Sequence, residues 1–454
     1  MSRKRAVLLV DNKQRDLMGC TLVAEQLDAL GVDCFLEPLE AYRGCLAAHR
    51  PDMIIFNHLT GGHLVRYSRR LAAMNVKVAV LTNEGITYDP DLLRFIVGSH
   101  HSQAHIDLFL CWNEPMKRAM EEMGAFPMAR KVVVGIPRFD FYCPPWSGLF
   151  VERSRPAGAL PRVLVCTDFH FADFHGVPEA AEVFFGALKD RLPIFRNYQE
   201  LIGVQHEGRC RLFPFLDELA RLGRHELIVR PHPYEQETDY AAWMQGLPAA
   251  QRANVRLDKA SEITRLILNT DLQISCETCT TAMEGWIARK PTIELTFRRH
   301  PIFFHEEHAR QQPLCDRPAD LPALVEEALA NPAQPDYAAG RKTHLQKWCH
   351  TPDGNACQQV ARAIADSLKD HPAPDWSQLT LTDRRRAAKL HLTRKVGHAY
   401  HFDPFMPAKA RLFPKKYALK DFSYRKSIRP HDVAEARRWL RAGAGLELGK
   451  SRTT

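Results

Sequence analysis

The chain has 454 residues, of which 45% are apolar and 25% are charged. This length and composition predict two or three domains with ordinary cores and exclude a disordered chain. The twelve cysteines are scattered without paired spacing, so we expect free thiols and not the disulfide framework of a small secreted domain. The first apolar run, at 6–10, is far shorter than a signal-peptide core or a membrane-spanning helix. We therefore expect a cytoplasmic protein.

The net charge of +9 is distributed unevenly along the chain. Residues 384–454 hold 19 basic and 5 acidic side chains, a net +14, which leaves 43 basic against 48 acidic side chains, a net −5, for the rest. The positive charge is therefore a property of the C-terminal region.

Short apolar runs alternate with helical periodicity through residues 1–143. We predict strands at 5–10, 33–36, 53–56, 78–81, 106–111 and 132–135, and helices at 16–30, ending in a Gly31 cap, and 41–49. This alternation is typical of a Rossmann-like domain. Because the chain has no GxGxxG fingerprint here and Gly61-Gly62 alone is too weak a signal, we do not expect a nicotinamide cofactor.

A carboxylate follows the fourth predicted strand, in Thr82-Asn83-Glu84-Gly85. Open α/β sheets bind ligands outside the carboxyl ends of their strands, and Gly85 permits a tight turn there. Glu84 is therefore a candidate catalytic residue, and the alternative is an exposed turn or helix-capping acid. The nearby histidines are as consistent with a solvated helix face as with a site. They are His100, His101 and His105.

Prolines at 144, 145, 156 and 161 predict a linker over residues 144–161. A second βα domain is predicted over 162–371, beginning with a strand at 162–166 and ending with helices at 320–330 and 353–369. The loop after its first strand carries Asp168, His170 and His175. We interpret that loop as structural or unassigned. The fold class is therefore α/β, with two Rossmann-like domains.

A cation and an imidazole follow a buried strand of this second domain. The apolar run at 227–229 stops at Arg230-Pro231-His232-Pro233. The prolines fix φ on either side of His232 and lack N–H groups, so the imidazole is held on a stiff, extended segment. At the carboxyl end of a strand, Arg230 and His232 suit a phosphate.

A second motif follows the predicted strand at 271–275. Thr280 and Thr281 are typical of an N-cap and first helical turn, where hydroxyls and free N–H groups face an anion. Glu284, one turn later, is placed to reach the sugar hydroxyls of a nucleotide. Each motif alone has an ordinary alternative, since a His-Pro pair is often only a turn and Thr-capped helices are common.

Two other patterns do not support a metal site. Cys276-Glu277-Thr278-Cys279 is a single CxxC without a second pair, and the His305-Glu306-Glu307-His308 stretch lacks the i,i+4 histidine spacing of a zinc metalloprotease. We expect no metal.

The order and spacing of Arg230-Pro231-His232-Pro233 and Thr280-Thr281 resemble the nucleotide half of a two-Rossmann (GT-B) glycosyltransferase. More narrowly, they resemble bacterial surface and capsular carbohydrate transferases, whose characterised relatives are the CMP-sugar-using polysialyltransferases and Kdo transferases. The segment at 135–140, Gly-Ile-Pro-Arg-Phe-Asp, resembles the Gly-x-Pro-Arg-x-Asp that ends the first domain of these relatives. Glu84-Gly85 resembles their acidic-Glu-Gly motif, with Asn83 in place of the first acidic residue.

This resemblance implies a GT-B fold and a glycosyltransferase of surface polysaccharide (capsule or lipopolysaccharide) biosynthesis. Such an enzyme transfers an acidic sugar, Kdo or sialic-acid-like, from a CMP-sugar to a glycan or lipid-linked acceptor, without a cofactor or metal. Glu84 would take the acceptor proton while His232 stabilises the departing phosphate. The nucleotide-binding residues implied are Arg230, His232, Pro233, Thr280, Thr281 and Glu284.

Two other function classes stay open. A CDP-alcohol phosphotransferase uses a similar two-domain fold and phosphate-binding histidines. A non-catalytic, membrane-associated assembly protein is the third possibility.

Residues 372–454 are predicted to form a basic, aromatic extension. Basic residues mixed with aromatics suit an anionic bilayer surface, so we expect residues 376–454 to bind the lipids of the inner membrane and make the protein peripheral there. The alternatives are nucleic acid, which we do not expect as a partner, and an extension that packs on the domains.

Overall fold

The computed structural model describes residues 3–98, 102–190, 192–400, 403, 405–413, 417 and 426–448. The predicted helix-face histidines His100 and His101 lie outside these residues. The strands are β1 (Lys4–Val10), β2 (Val32–Pro38), β3 (Met53–Phe56), β4 (Lys77–Leu81), β5 (Leu108–Cys111), β6 (Arg130–Val133), β7 (Arg162–Cys166), β8 (Glu226–Arg230), β9 (Val255–Leu257), β10 (Leu272–Cys276), β11 (Thr292–Leu295) and β12 (Leu314–Cys315).

The helices lie between and after these strands. They are α1 (Lys13–Ala29), α2 (Tyr42–His49), α3 (Gly62–Ala73), α4 (Pro90–Gly98), α5 (Glu114–Glu122), α6 (Pro178–Lys189), α7 (Tyr198–Leu222), α8 (Thr238–Gly246), α9 (Ala249–Arg252), α10 (Ile263–Leu268), α11 (Thr281–Ile287), α12 (Glu306–Ala309), α13 (Leu321–Ala330), α14 (Pro335–Cys349), α15 (Ala356–Leu368), α16 (Leu381–Lys395), α17 (Met406–Leu412) and α18 (Pro430–Leu448).

Two parallel six-stranded sheets form the body of the molecule. The first has the order β2-β1-β3-β4-β5-β6, and the second has the order β12-β11-β10-β7-β8-β9. Helices cover both faces, so the central strands are buried along their whole length, as in β3, which is entirely apolar, and β10, which also carries Gln273 and Ser275. The predicted α/β fold class, with two Rossmann-like domains, is confirmed.

Helix α1 begins with a side-chain cap at Asn12 and ends before a glycine, Gly31. The Asn12 side chain accepts a hydrogen bond from the backbone N–H of Gln14 at 3.0 Å and caps the N-terminus. Gly31 follows the helix with φ +83°, a conformation that a side chain disfavours. The predicted glycine cap is confirmed, and α1 then leads directly into β2.

The order of the second sheet brings the predicted motifs together. Strand β7 lies between β8 and β10, and Cys166 at its end is in register with Arg230 on one side and Ser275 on the other. The loops after these three strands therefore begin side by side at one sheet edge. This is the edge at which such sheets bind ligands.

The last helix of the predicted second domain returns to the first domain. Helix α15 packs on α1, with Val360, Ile364 and Leu368 in one apolar cluster with residues of α1. The Asp140 carboxylate accepts the backbone N–H groups of Ala356 and Cys357 at 2.9 and 2.7 Å, and so caps α15. The domain boundaries stay a prediction, but this helix ties the chain back to where the first domain ends.

Much of the C-terminal extension also packs on the first domain. Helix α16 lies on α2 and α18 lies on α1. Ion pairs accompany both contacts: Arg394 binds Glu37 at 2.5 Å, and Arg437 binds Glu25 at 2.7 Å. Part of the positive charge of the extension is therefore matched by acids of the body. No helix within the described ranges has both the length and the apolar character to cross a bilayer.

Candidate functional site

His232 is held in one tautomer by the loop that carries it. The backbone N–H of Tyr234 donates to Nδ1 of His232 at 3.2 Å. A backbone N–H can only donate, so Nδ1 carries no proton and the proton of the neutral ring is on Nε2. Burial lowers the pKa of His232, which keeps the ring neutral. His232 is thus a partly buried Nε2–H donor.

Glu235 fixes the two loops that meet beside His232. Its buried carboxylate accepts the Thr167 hydroxyl at 2.6 Å and the backbone N–H groups of Phe169 and His232 at 2.9 and 3.1 Å. The Tyr240 hydroxyl donates to its other oxygen. The sequence alone did not indicate a functional role for Glu235, although it lies two residues after Pro233. It joins the loop after β7 to the loop after β8.

We expect Glu235→Ala to lower the free energy of unfolding by at least about 3 kcal/mol, because the backbone N–H of Phe169 and the Thr167 hydroxyl would lose the buried acceptor to which they donate. Chemical denaturation of wild type and variant measures this difference. Glu237→Ala is the matched control, since Glu237 is exposed and its side chain makes no capping hydrogen bond. Equal stabilities of the two variants would contradict the anchoring role of Glu235.

Arg230 and Pro233 flank His232 in the sequence and differ in their exposure. The Arg230 guanidinium is partly buried and donates to the backbone carbonyl of Asp258 at 3.2 Å. Pro231 is buried, whereas Pro233 is exposed. The guanidinium has five N–H donors, so its hydrogen bond to one carbonyl leaves it able to bind an anion.

The loop between β10 and α11 is strained. Glu277 and Thr278 have φ values of +56° and +53°, which side-chain-bearing residues rarely adopt. Such backbone strain is concentrated at functional sites. Thr280 precedes the first residue of α11, Thr281, as predicted. The buried Thr281 hydroxyl lies beside the Cys166 and Cys279 thiols and has no nitrogen or oxygen partner within the described residues, so it retains hydrogen-bonding capacity.

Glu284 faces the end of the first domain. The Tyr142 hydroxyl donates to its carboxylate, and the Thr264 hydroxyl donates to Tyr142 at 3.3 Å. Burial raises the pKa of Glu284, and the nearby charges of Arg138 and Arg230 oppose that rise. Tyr142 donates to Oε2 of Glu284, so the carboxylate keeps acceptor capacity for the ribose hydroxyls that the sequence predicts as its partners.

Glu84 lies at the carboxyl end of β4, as predicted, and its side chain is 66% exposed. Its carboxylate pairs with the Arg15 guanidinium at 3.0 Å, and Arg15 also contacts Asp16 at 2.8 Å. Arg15, Asn83 and Arg138 line a small cavity beside it. The catalytic role of Glu84 stays a prediction.

Tyr88 links the Glu84 loop to the second domain. Its hydroxyl lies 2.8 Å from Nδ1 of His308 and 3.0 Å from Nε2 of His344. Burial lowers the pKa of His308 well below its usual value and that of His344 to about 4, so both rings are neutral near pH 7. The His305–His308 stretch, which the sequence excluded as a zinc motif, thus contributes an interdomain contact.

A second histidine lies beside His232. Nδ1 of His170 is 3.0 Å from the Asp168 carboxylate, and the His170 and His232 ring centroids are 5.1 Å apart. One ligand atom each from Asp168, His170 and His232 falls within 4.8 Å of the others, a spacing that would admit a metal ion. The His232 tautomer opposes this, because Nε2 carries the proton where a metal needs a lone pair. The expectation that no metal takes part stays a prediction.

No protein-family model and no curated protein matches the chain. Solved structures do. A putative UDP-N-acetylglucosamine 2-epimerase from Listeria monocytogenes is 12% identical with a TM-score of 0.50, and the match covers 82% of this chain and 99% of that one. S. aureus MnaA in a co-structure with UDP is 10% identical, with coverage of 82% and 99% and a TM-score of 0.49.

A glycosyltransferase from Rickettsia africae is 11% identical over 82% of this chain and 100% of that one, with a TM-score of 0.45. At such low identity these likenesses show the fold alone. The Listeria structure supports the GT-B arrangement of two Rossmann-like domains. A shared fold does not select the reaction, so function depends on the residues of the site.

Proposed function

We propose that this chain is a glycosyltransferase of surface polysaccharide biosynthesis that takes an acidic sugar, Kdo or sialic-acid-like, from a CMP-sugar. The observation that carries the proposal is the Nε2–H donor of His232, fixed by the Tyr234 backbone next to Arg230. A neutral imidazole donor and a guanidinium suit the single phosphate of a CMP-sugar. The buried Thr281 hydroxyl and adjacent Thr280 would complete the phosphate site, and Glu284 would take the ribose.

The proposed reaction is a displacement at the anomeric carbon. The acceptor hydroxyl oxygen bonds to that carbon as Glu84 takes its proton, and the bond from the carbon to the phosphate oxygen breaks. Negative charge builds on the departing phosphate, where His232 and Arg230 stabilise it. Because these groups meet the charge of a monophosphate, the proposal includes no metal.

A thermal-shift panel of CMP, CDP, CDP-glycerol, UDP and AMP tests the donor. A ligand at 100 times its Kd stabilises the folded state by about 2.7 kcal/mol, and we expect CMP to raise the melting temperature most. Stabilisation by CDP and CDP-glycerol in preference to CMP would favour a phosphotransferase. Stabilisation by UDP in preference to CMP would overturn the assignment of a cytidine nucleotide. If no nucleotide raises the melting temperature, the proposal of a nucleotide-dependent enzyme is overturned.

We also propose that the enzyme docks on the anionic inner membrane, where a lipid-linked acceptor would be found. The described part of the extension exposes apolar side chains beside basic ones. Leu392, Val396, Phe405, Leu412 and Phe413 are 55 to 71% exposed. Basic side chains Arg384, Arg385, Lys389, Lys395 and Arg411 are exposed as well.

We expect the Arg384→Glu, Arg385→Glu, Lys395→Glu triple variant to lose affinity for anionic liposomes on the order of 100-fold, at about 1 kcal/mol per basic residue. Deleting the extension is a poorer test, because the deletion would uncover the first domain under Leu390 and Leu440, which are buried. Co-sedimentation in 0.1 M and 1 M salt measures the affinity, because the screening length falls from about 10 to about 3 Å between them.

Reversal of three exposed basic residues elsewhere, Arg153, Arg196 and Lys342, is the matched control. Equal loss in both triple variants would contradict a specific membrane surface in the extension. A preference for RNA over liposomes would indicate nucleic acid as the partner.

A further inference from the structure

The Asp168–His170 pair lies at the proposed phosphate site but has no part in the proposed reaction. Both residues follow β7, the strand between β8 and β10. Asp168 and His170 are largely buried, with side chains 26% and 28% exposed. They therefore lie at the sheet edge where His232 and Thr280 are found, and they are within reach of the same ligand.

Asp168 sets the proton arrangement of His170. The carboxylate accepts a hydrogen bond from Nδ1 of His170 at 3.0 Å, which orients the ring. Burial alone would lower the pKa of His170, but the hydrogen bond and charge of Asp168, with the charge of Glu235, raise it above its usual value. Burial alone would raise the pKa of Asp168, but the hydrogen bond from His170 and the charge of that ring lower it. This pair therefore favours an imidazolium on a carboxylate.

The two histidines complement each other. His232 is a neutral donor through Nε2, and His170 donates Nδ1–H to Asp168, which leaves its Nε2 for a ligand. The two ring centroids lie 5.1 Å apart, a separation over which the Nε2 donors of the two rings can bind different oxygens of one phosphate group.

We propose that His170 is a second phosphate-binding residue of the donor site, acting beside His232, and that Asp168 is the positioning residue that holds it. This inference rests on the proposed function, since it assigns the phosphoryl group of the nucleotide to both rings. It explains why a partly buried acid lies against a histidine at the carboxyl end of β7. The ligand chemistry is a nucleoside phosphate bound directly to protein donors.

Calorimetric titration of the full-length protein with CMP and with cytidine tests this assignment, because the two ligands differ only in the phosphate. Loss of one charged donor weakens binding by about 10- to 100-fold, so we expect His170→Ala to lose CMP affinity by that factor and to keep its cytidine affinity. Asp168→Asn should weaken CMP binding less, again without an effect on cytidine. His175→Ala, an exposed histidine of the same loop, should bind both ligands as wild type does.

Wild-type CMP affinity in His170→Ala would overturn this inference and leave the proposed function standing. Equal losses of CMP and cytidine affinity would also overturn it, because they would indicate a disturbed loop. If UDP binds in place of CMP and His170→Ala weakens UDP, the cytidine donor is wrong and the phosphate role of His170 is supported. If EDTA abolishes nucleotide binding and Mn²⁺ restores it, a metal replaces direct donation and the inference is overturned.

Discussion

His232→Ala is expected to lower turnover by about 10²- to 10³-fold, because it removes a donor aimed at the oxygen on which charge builds as the donor sugar departs. The interaction strengthens as the phosphate gains charge, so the effect should fall mainly on kcat. Steady-state kinetics with a CMP-sugar donor measures this directly.

The structure predicts that His232→Ala keeps its fold. The residue is only partly buried, and the Glu235 carboxylate would still accept the backbone N–H of residue 232. His232→Gln retains a side-chain donor and should recover part of the lost rate. Turnover near that of wild type in His232→Ala, with an unchanged melting temperature, would refute the role of His232.

Glu84→Gln is expected to lower turnover by about 10²- to 10⁴-fold, the usual contribution of a general base. Glutamine preserves the size of the side chain and an acceptor for the Arg15 guanidinium, so the loop should keep its conformation. Because the base contacts the acceptor and not the nucleotide, affinity for CMP should not change. Kinetics and CMP titration on the same preparation separate these quantities.

Glu84→Asp is the companion variant, since it keeps the carboxylate but shortens the side chain, and it should retain more activity than Glu84→Gln. If Glu84→Gln chiefly weakens CMP binding, the carboxylate belongs to the nucleotide site and its assignment as base is wrong. Unchanged turnover in both variants would leave Glu84 as an exposed partner of Arg15.

The sequence predicts the elements whose signal is local. The central strands are continuous apolar runs between turn residues, and the predicted ranges at 53–56 and 162–166 coincide with β3 and β7. The full length of helix α7 is not evident from the local sequence, because Pro214 lies inside its 25 residues and a proline usually ends a helical pattern. No single window of sequence shows that α15 returns to the first domain, since that depends on the distant Asp140 carboxylate.

Some residues of the candidate site are likewise indicated by local sequence, and others are not. Arg230 and His232 stand out because they follow a buried strand directly, whereas Asp168 and His170 follow a different strand and meet His232 only through sheet order. Glu235 is a buried carboxylate whose partners come from three segments, so its importance appears only in three dimensions. Net charge likewise does not show which basic residues of the extension pair with acids of the body.

A crystal structure with bound CMP tests the central claim most directly. The account predicts that the CMP phosphate lies within hydrogen-bond distance of Nε2 of His232 and of the Arg230 guanidinium, outside the carboxyl ends of β7, β8 and β10. CMP bound in the first domain, or in the second with its phosphate away from His232, would contradict it.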